Sequence, residues 1–346
     1  MRKIIFIDPM CKINYASYFI RGFIEKGYEI KYKCLDIPQI ENHPDYIRGM
    51  FCQTGDGKKI YIDYHDKNDI NENYYEWCDV YGKVNYAGGE RDKLLILGPS
   101  FGISLPYNKV KTMAIGFRNF LKMRFCHKKK FMPSIKMFMA DYAYTFIRRR
   151  KIERYQCDFS EFDNEFCFTA NTLWYSSLAT STTNRYRMAF CFAAQKVFKT
   201  FRGGVKFIHS NSIIHKFPEY KDYLDSCKSI MMSGRCSMDE YIDSTKKSWV
   251  VFNTPSVQGC HGWKLGEYLA MGKCILSMPH NNRFPSDFIN RVHYYGMESE
   301  EEILPTLRLL HDSPDVVSQL SMNSHKYYDD YLRPDVMIER IMRKVQ

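Results

Sequence analysis

The strongest constraint on the fold is an alternation that runs the length of the chain: apolar runs of strand length, each followed by a stretch with helical periodicity. Residues 3–8 (KIIFID) read as a buried strand ended by Asp-Pro. A helix pattern follows over about residues 15–26, closed by Gly27 in a C-cap position. Residues 28–34, 59–64 and 94–98 read as further strands. The rhythm restarts at 165–170 (EFCFTA), with a Ser/Thr/Asn-rich loop over 176–184 and a helix over about 185–200. Strand-length runs then fall at 205–208, 229–233, 249–253 and 274–277, with helices near 239–247 and 263–271. Strands separated by helices are joined by crossovers, which predicts parallel sheets covered on both faces. A chain of 346 residues has room for two such units. The expected architecture is α/β with two Rossmann-like domains, an N-terminal one over 1–155 and a C-terminal one over 156–346. A last helix, about 335–344 after Pro334, is expected to pack back across the first domain.

Composition closes several doors. Hydrophobic residues at 45% and charged residues at 26% describe a folded chain rather than a disordered one. No apolar run reaches the ~18 residues that a membrane span needs. The start, MRKIIFIDPM, is too short and too soon polar for a secretory signal. The twelve cysteines show no C-x-x-C and no zinc spacing, and without an export signal they are expected to be reduced thiols in a cytoplasmic protein.

Net charge is +11, and it is concentrated. Residues 109–154 hold 14 Lys and Arg against Asp141 and Glu153, a balance of +12, so the other 36 basic and 37 acidic residues nearly cancel. One basic segment in a neutral chain points to a local docking surface. Over 111–129 an imperfect amphipathic helix places Lys111, Arg118, Lys122 and Lys129 in one stripe, with Met113, Ala114, Phe117, Phe120 and Leu121 on the other side. The apolar side is expected to pack inward; the basic stripe suits an anionic surface, either lipid headgroups or a phosphorylated substrate.

The stretch over 251–279, VFNTPSVQGCHGWKLGEYLAMGKCILSMP, carries the chemistry. It reads strand, Gly-containing loop, short helix, Gly, strand. Gly262 precedes a helix whose first N–H groups lack internal partners, a seat for phosphate. Glu267 lies one turn past Trp263, with Lys264 adjacent, so a carboxylate there can accept two ribose hydroxyls.

These residues resemble the donor motif of GT-B glycosyltransferases, the group 1, family 4-like enzymes of bacterial polysaccharide assembly. Gly262 matches the second glycine of that motif, Glu267 its ribose-binding glutamate, and Ala270, Gly272 and Ile275-Leu276 its closing segment. Two positions depart: Cys260 stands for the first glycine, and Gly259 stands where many retaining members carry a second Glu. Retention or inversion is therefore left open. The resemblance implies two domains facing each other across a cleft. It also implies a nucleotide-diphosphate donor, a UDP-sugar first among them, with no cofactor and no metal. The expected acceptor is a lipid-diphosphate-linked glycan at the inner face of the cytoplasmic membrane.

Other candidates follow from topology. Arg185 and Arg187 (NRYR) can offer a guanidinium to the diphosphate. Arg235 can approach the base, and His261 the leaving group. In the first half, His65 and Asp66 at a strand end, and Asp8 at another, are candidates to remove the acceptor proton. No Asp-x-Asp, G-x-G-x-x-G or P-loop occurs. Residues 98–102 (GPSFG) fit a nucleophile elbow, but Pro106 stands where its helix should run. Two alternatives remain at this stage. One is a nucleotide-sugar epimerase of the same fold; the other is a non-enzymatic binder of nucleic acid or another anionic surface.

Overall fold

Ile4–Ile7 alternates between full and partial burial, and on one side it pairs in parallel with Glu29–Tyr32. These are strands β1 and β2 of the computed structural model, which describes residues 3–38, 49–126, 133–173, 181–207, 225–234 and 236–346. Chain contacts divide it into two units. Unit 1 holds Met1–Tyr155, Asn282–Asp287 and Tyr328–Gln346; unit 2 holds Gln156–Asn281 and Phe288–Tyr327.

Unit 1 is built on a six-stranded sheet in the order β2-β1-β3-β4-β5-β6, with β3 Gly49–Thr54, β4 Lys59–Asp63, β5 Val80–Lys83 and β6 Leu94–Ile96. The all-parallel expectation needs one correction. Strand β3 runs antiparallel to both β1 and β4, while β4, β5 and β6 run parallel. The cause is local: β3 and β4 are joined by a short turn at Gly55–Lys58, a hairpin that cannot make a parallel pair. Strand β5 is buried along its whole length, in keeping with a sheet covered on both faces.

Helix α1 (Ile13–Glu25) packs against the chain's last helix, α10 (Pro334–Val345). The approach is so close that a Cβ at Gly22 would overlap the Pro334 carbonyl. Around it, Tyr18 Oη donates to the Leu332 carbonyl (2.8 Å), Lys26 Nζ meets Glu339 (2.5 Å) and Arg340 Nη2 donates to the Ile96 carbonyl (2.9 Å). Helix α2 (Glu72–Trp77) is capped by Asn71. Residues 97–105 open no helix, so GPSFG is a strand-end loop.

Helices α3 (Lys109–Cys126) and α4 (Ile135–Ile147) pack on each other. Here the expected orientation of the amphipathic helix holds for Phe120 but not for Ala114, Phe117 and Leu121. The face of α3 turned inward carries Thr112, Gly116, Asn119, Phe120 and Met123, whereas Phe117 and Leu121 point outward. The reason lies in α4: the Tyr142 ring fills the space beside Gly116, and its hydroxyl accepts from Asn119 Nδ2 (2.9 Å). A large side chain at either position would lose that fit. A second correction concerns the cysteines, because Cys34 and Cys126 form a disulfide with a Cα–Cα distance of 6.2 Å, within the ordinary span.

Unit 2 contains two parallel sheets. Strands β7 (Phe166–Leu173) and β8 (Thr200–Phe207) pair over their full length. Strands β9 (Val250–Asn253), β10 (Cys274–Ser277) and β11 (Tyr295–Gly296) form the other sheet in the order β11-β10-β9. Strand β9 approaches β7, where Trp249 N–H donates to the Phe166 carbonyl (2.9 Å) and Phe168 N–H to Ser248 Oγ (2.9 Å). The run over 229–233, expected as a strand, instead makes a short 3-10 turn and a single bridge to Val205. Around the sheets lie α5 (Ser181–Val197), α6 (Met238–Lys247), α7 (Trp263–Ala270), α8 (Ile303–His311) and α9 (Pro314–Tyr327). The core draws on Phe190, Phe198, Phe252, Leu276, Leu307 and Leu320. No described helix is long and apolar enough to cross a membrane.

Candidate functional site

The site grows from the end of β9. After Asn253 the chain runs through Thr254 and Pro255 into a tight loop, in which Ser256 N–H donates to the Cys260 carbonyl (2.9 Å) and Gly259 N–H to the Ser256 carbonyl (3.0 Å). Gly262 then takes φ +69°, a region an L-residue resists, and delivers the chain into α7. Its N-cap residue, Gly262, has no side chain with which to cap that helix.

Two cations meet there. Lys264, in the first turn of α7, donates from Nζ to Asn171 Oδ1 (2.6 Å) and to the Ala170 carbonyl, both on β7. Arg187, on α5, is buried; its Nε donates to Thr254 Oγ1 (3.0 Å) and its Nη1 to the Thr172 carbonyl (2.5 Å). Burial, reinforced by the positive charge of Arg187, pulls the Lys264 ammonium down to about 7. Burial likewise lowers Arg187 to about 10. At Lys264 these effects outweigh the opposing charge of Glu267, and a further anion beside the two groups would raise both. One turn further, Glu267 is buried and accepts from Tyr241 Oη (2.7 Å).

His261 is buried beside His280, with ring centroids 6.3 Å apart. Burial, with a smaller contribution from His261, drives the His280 imidazole down to about 3, so His280 is neutral.

Sequence candidates thus separate. Gly262, Trp263, Lys264, Glu267, His261 and Arg187 gather around the start of α7, and Thr254, Asn171, Tyr241 and His280 join them although sequence reasoning passed them over. The two strand-end polar residues, Asn171 and Thr254, could have been flagged by the same strand-terminus argument that selected His65. Arg185 lies apart: it is exposed and ion-paired to Glu300 (2.7 Å). Arg235 and Lys129 lie outside the described residues.

In unit 1, the Asp8 carboxylate is buried and holds backbone, with Oδ1 accepting from Met10 N–H (2.9 Å) and Oδ2 from Leu35 N–H (2.8 Å). His65 and Asp66 follow the end of β4, partly exposed; His65 Nδ1 accepts from Lys67 N–H (3.3 Å). Two residues earlier lies a cluster with no counterpart in the sequence reading. Asp63 pairs with the wholly buried Lys83 (3.0 Å) and accepts from Tyr81 Oη (2.6 Å), across the C-terminal ends of β4 and β5. Lys83 also donates to the Lys67 carbonyl (2.8 Å), which ties down the loop carrying His65 and Asp66. Between α1 and α4, a cavity of about 440 Å³ is lined by Lys12, Asn14, Tyr15, Lys136, Asp141 and Tyr144, among others. Among the described residues no group of three or more His, Cys, Asp and Glu side chains is arranged to hold a metal ion.

No family model matches the chain, and no curated protein does. Among solved structures it is similar to a glycosyltransferase from Rickettsia africae ESF-5, at 9% identity and TM-score 0.43 over 80% of this chain and 67% of that one. It is also similar to WaaG, a glycosyltransferase involved in lipopolysaccharide biosynthesis, at 10% identity and TM-score 0.39 over 94% of each chain. A third is Anabaena Alr3699/HepE in complex with UDP-glucose, at 9% identity and TM-score 0.38 over 61% of each chain. Likeness at this level assigns no activity, so the chemistry has to come from the side chains.

Proposed function

We propose that the chain is a GT-B glycosyltransferase that moves a sugar from a nucleotide-diphosphate donor, a UDP-sugar first among them, to a hydroxyl of a glycan acceptor. The observation that carries this reading is the pairing of two charge-depressed cations, Lys264 and Arg187, with the glycine-led start of α7. In the reaction, the acceptor oxygen forms a bond to the anomeric carbon as the bond from that carbon to the diphosphate oxygen breaks. The leaving nucleoside diphosphate gains negative charge at that moment, and Lys264, Arg187 and the helix N–H groups are assigned to meet it. Glu267, with Arg235 and Trp263 as further candidates, is assigned to the nucleoside, and His261 to the leaving group. No metal or cofactor is required by this scheme.

The hydroxyl proton goes to a base on unit 1, His65 or Asp66. Both carboxylate oxygens of Asp8 are already engaged by backbone, so Asp8 is the weaker candidate. The acceptor is assigned as lipid-linked, used at the inner face of the cytoplasmic membrane during assembly of bacterial cell-surface polysaccharide.

A thermal-shift panel with UDP, GDP, CMP, ADP and dTDP tests the donor site. One nucleotide at a hundredfold excess over its dissociation constant should stabilise by about 2.7 kcal/mol, and Glu267→Ala should abolish the effect. Should no nucleotide shift the midpoint, the donor site and the glycosyltransferase reading both fall. For the base, His65→Ala or Asp66→Asn should lower kcat by roughly 10²–10⁴ with nucleotide affinity intact.

A further inference from the structure

Helix α3 is built the wrong way round for a helix whose outer face meets only water. Its inward face carries Thr112 and Asn119, while Val110, Phe117, Leu121 and Phe125 are 80%, 51%, 40% and 70% exposed. At about 100° per residue, these four and Ala114 fall in one stripe roughly 80° wide. Arg124 borders the stripe on one side, and Arg118 and Lys111 border it on the other. No acidic residue occurs anywhere in Lys109–Cys126. On the neighbouring α4, Ile135 and Ile147 are also exposed, at 48% and 60%. Lys122, counted by the sequence among the surface cations, is turned inward and donates to the Tyr32 carbonyl (2.6 Å).

We infer that this face of α3 lies in the headgroup region of an anionic bilayer, with Val110, Phe117, Leu121 and Phe125 buried among acyl chains and Lys111, Arg118 and Arg124 on lipid phosphates. An apolar stripe with cationic borders and no acidic residue is the pattern of a helix lying in the membrane plane. A second copy of the chain is a poor occupant, because pairing this face with itself would bring like charges together. Nucleic acid is also poorly served: four exposed apolar side chains would meet a phosphate backbone, which rewards only the cations. The surface extends the proposed use of a lipid-linked acceptor and rests on that reading for its biological purpose, but the docking stands on exposure and charge alone.

The test is flotation of the full chain, with no nucleotide or acceptor, on vesicles of phosphatidylcholine alone or mixed with phosphatidylglycerol. Wild type should float with the mixed vesicles and stay behind with the neutral ones. Phe117→Ser with Phe125→Ser should weaken binding by at least about tenfold through lost apolar burial. Lys111→Glu with Arg118→Glu should weaken it by about fivefold or more per charge, a loss that salt mimics in wild type. Amide-exchange protection of α1 and β1, in the same unit as α3, serves as the fold control. The inference is overturned if wild type ignores lipid charge, if the Phe variant floats like wild type, or if wild type is a dimer that the Phe variant dissociates. A normal flotation result with no nucleotide shift would instead sink the donor site and leave the docking surface standing.

Discussion

At the residue scale, Lys264 is the most informative side chain. Its ammonium titrates near 7 in the folded chain against 10.5 for an ordinary lysine, through burial and the neighbouring Arg187. Between those two values the unfolded chain binds more protons, so the destabilisation is complete below about 7 and is relieved as pH rises toward 10.5. Ligand binding runs the other way. On the proposed function a nucleoside diphosphate pairs with the charged lysine, so above pH 7 its binding should take up a proton and its affinity should fall, by up to about tenfold per pH unit. Titration calorimetry in buffers of different ionisation enthalpy should detect that proton. Lys264→Met should bind more weakly at pH 6 and show a flat profile above 7. A wild-type affinity that does not change between pH 6 and 9 would contradict the assignment of Lys264 to the diphosphate.

At the element scale, the ordering of α3 in unit 1 depends on its C-terminal end and its inner face. Gly116 and Asn119 admit Tyr142 of α4, and the disulfide ties Cys126, the last residue of the helix, to Cys34 just beyond β2. Ten cysteines are free. Thiol titration of the unfolded, unreduced protein should therefore find ten reactive groups, and twelve after reduction. Twelve without reductant would mean that the expectation of reduced thiols was sound and that the pair is only in proximity. Reading α3 from sequence failed for a definable reason. Amphipathicity shows which side chains share a face, but which face turns inward depends on the partner, here the ring and hydroxyl of Tyr142.

At the scale of the whole molecule, sequence order and spatial order part company near the C-terminus. Tyr328–Gln346 follows unit 2 in the chain but belongs to unit 1. A chain ending at Tyr327 should lose the cover of α1 and the Arg340 bond to β6. Amide exchange in residues 13–25 should accelerate by at least about tenfold, with protection of β9 and β10 in unit 2 unchanged. Equal loosening of both units would argue against that division.

The sequence by itself determined the elements whose signals are local. Strand runs at 4–7, 59–63, 250–253 and 274–277 were legible from apolar continuity, and α7 from the glycine that admits it and the periodicity that follows. The members of the cluster at the start of α7 that lie next to one another in the chain, from His261 to Glu267, were legible for the same reason. Tertiary structure alone decided the rest, because those features depend on residues distant in the chain. It joined Cys34 to Cys126, sent Arg185 to Glu300 while burying Arg187 at Thr254, and buried Lys83 against Asp63. Periodicity records what neighbours in sequence share; burial and charge pairing are settled by what the folded chain brings alongside them.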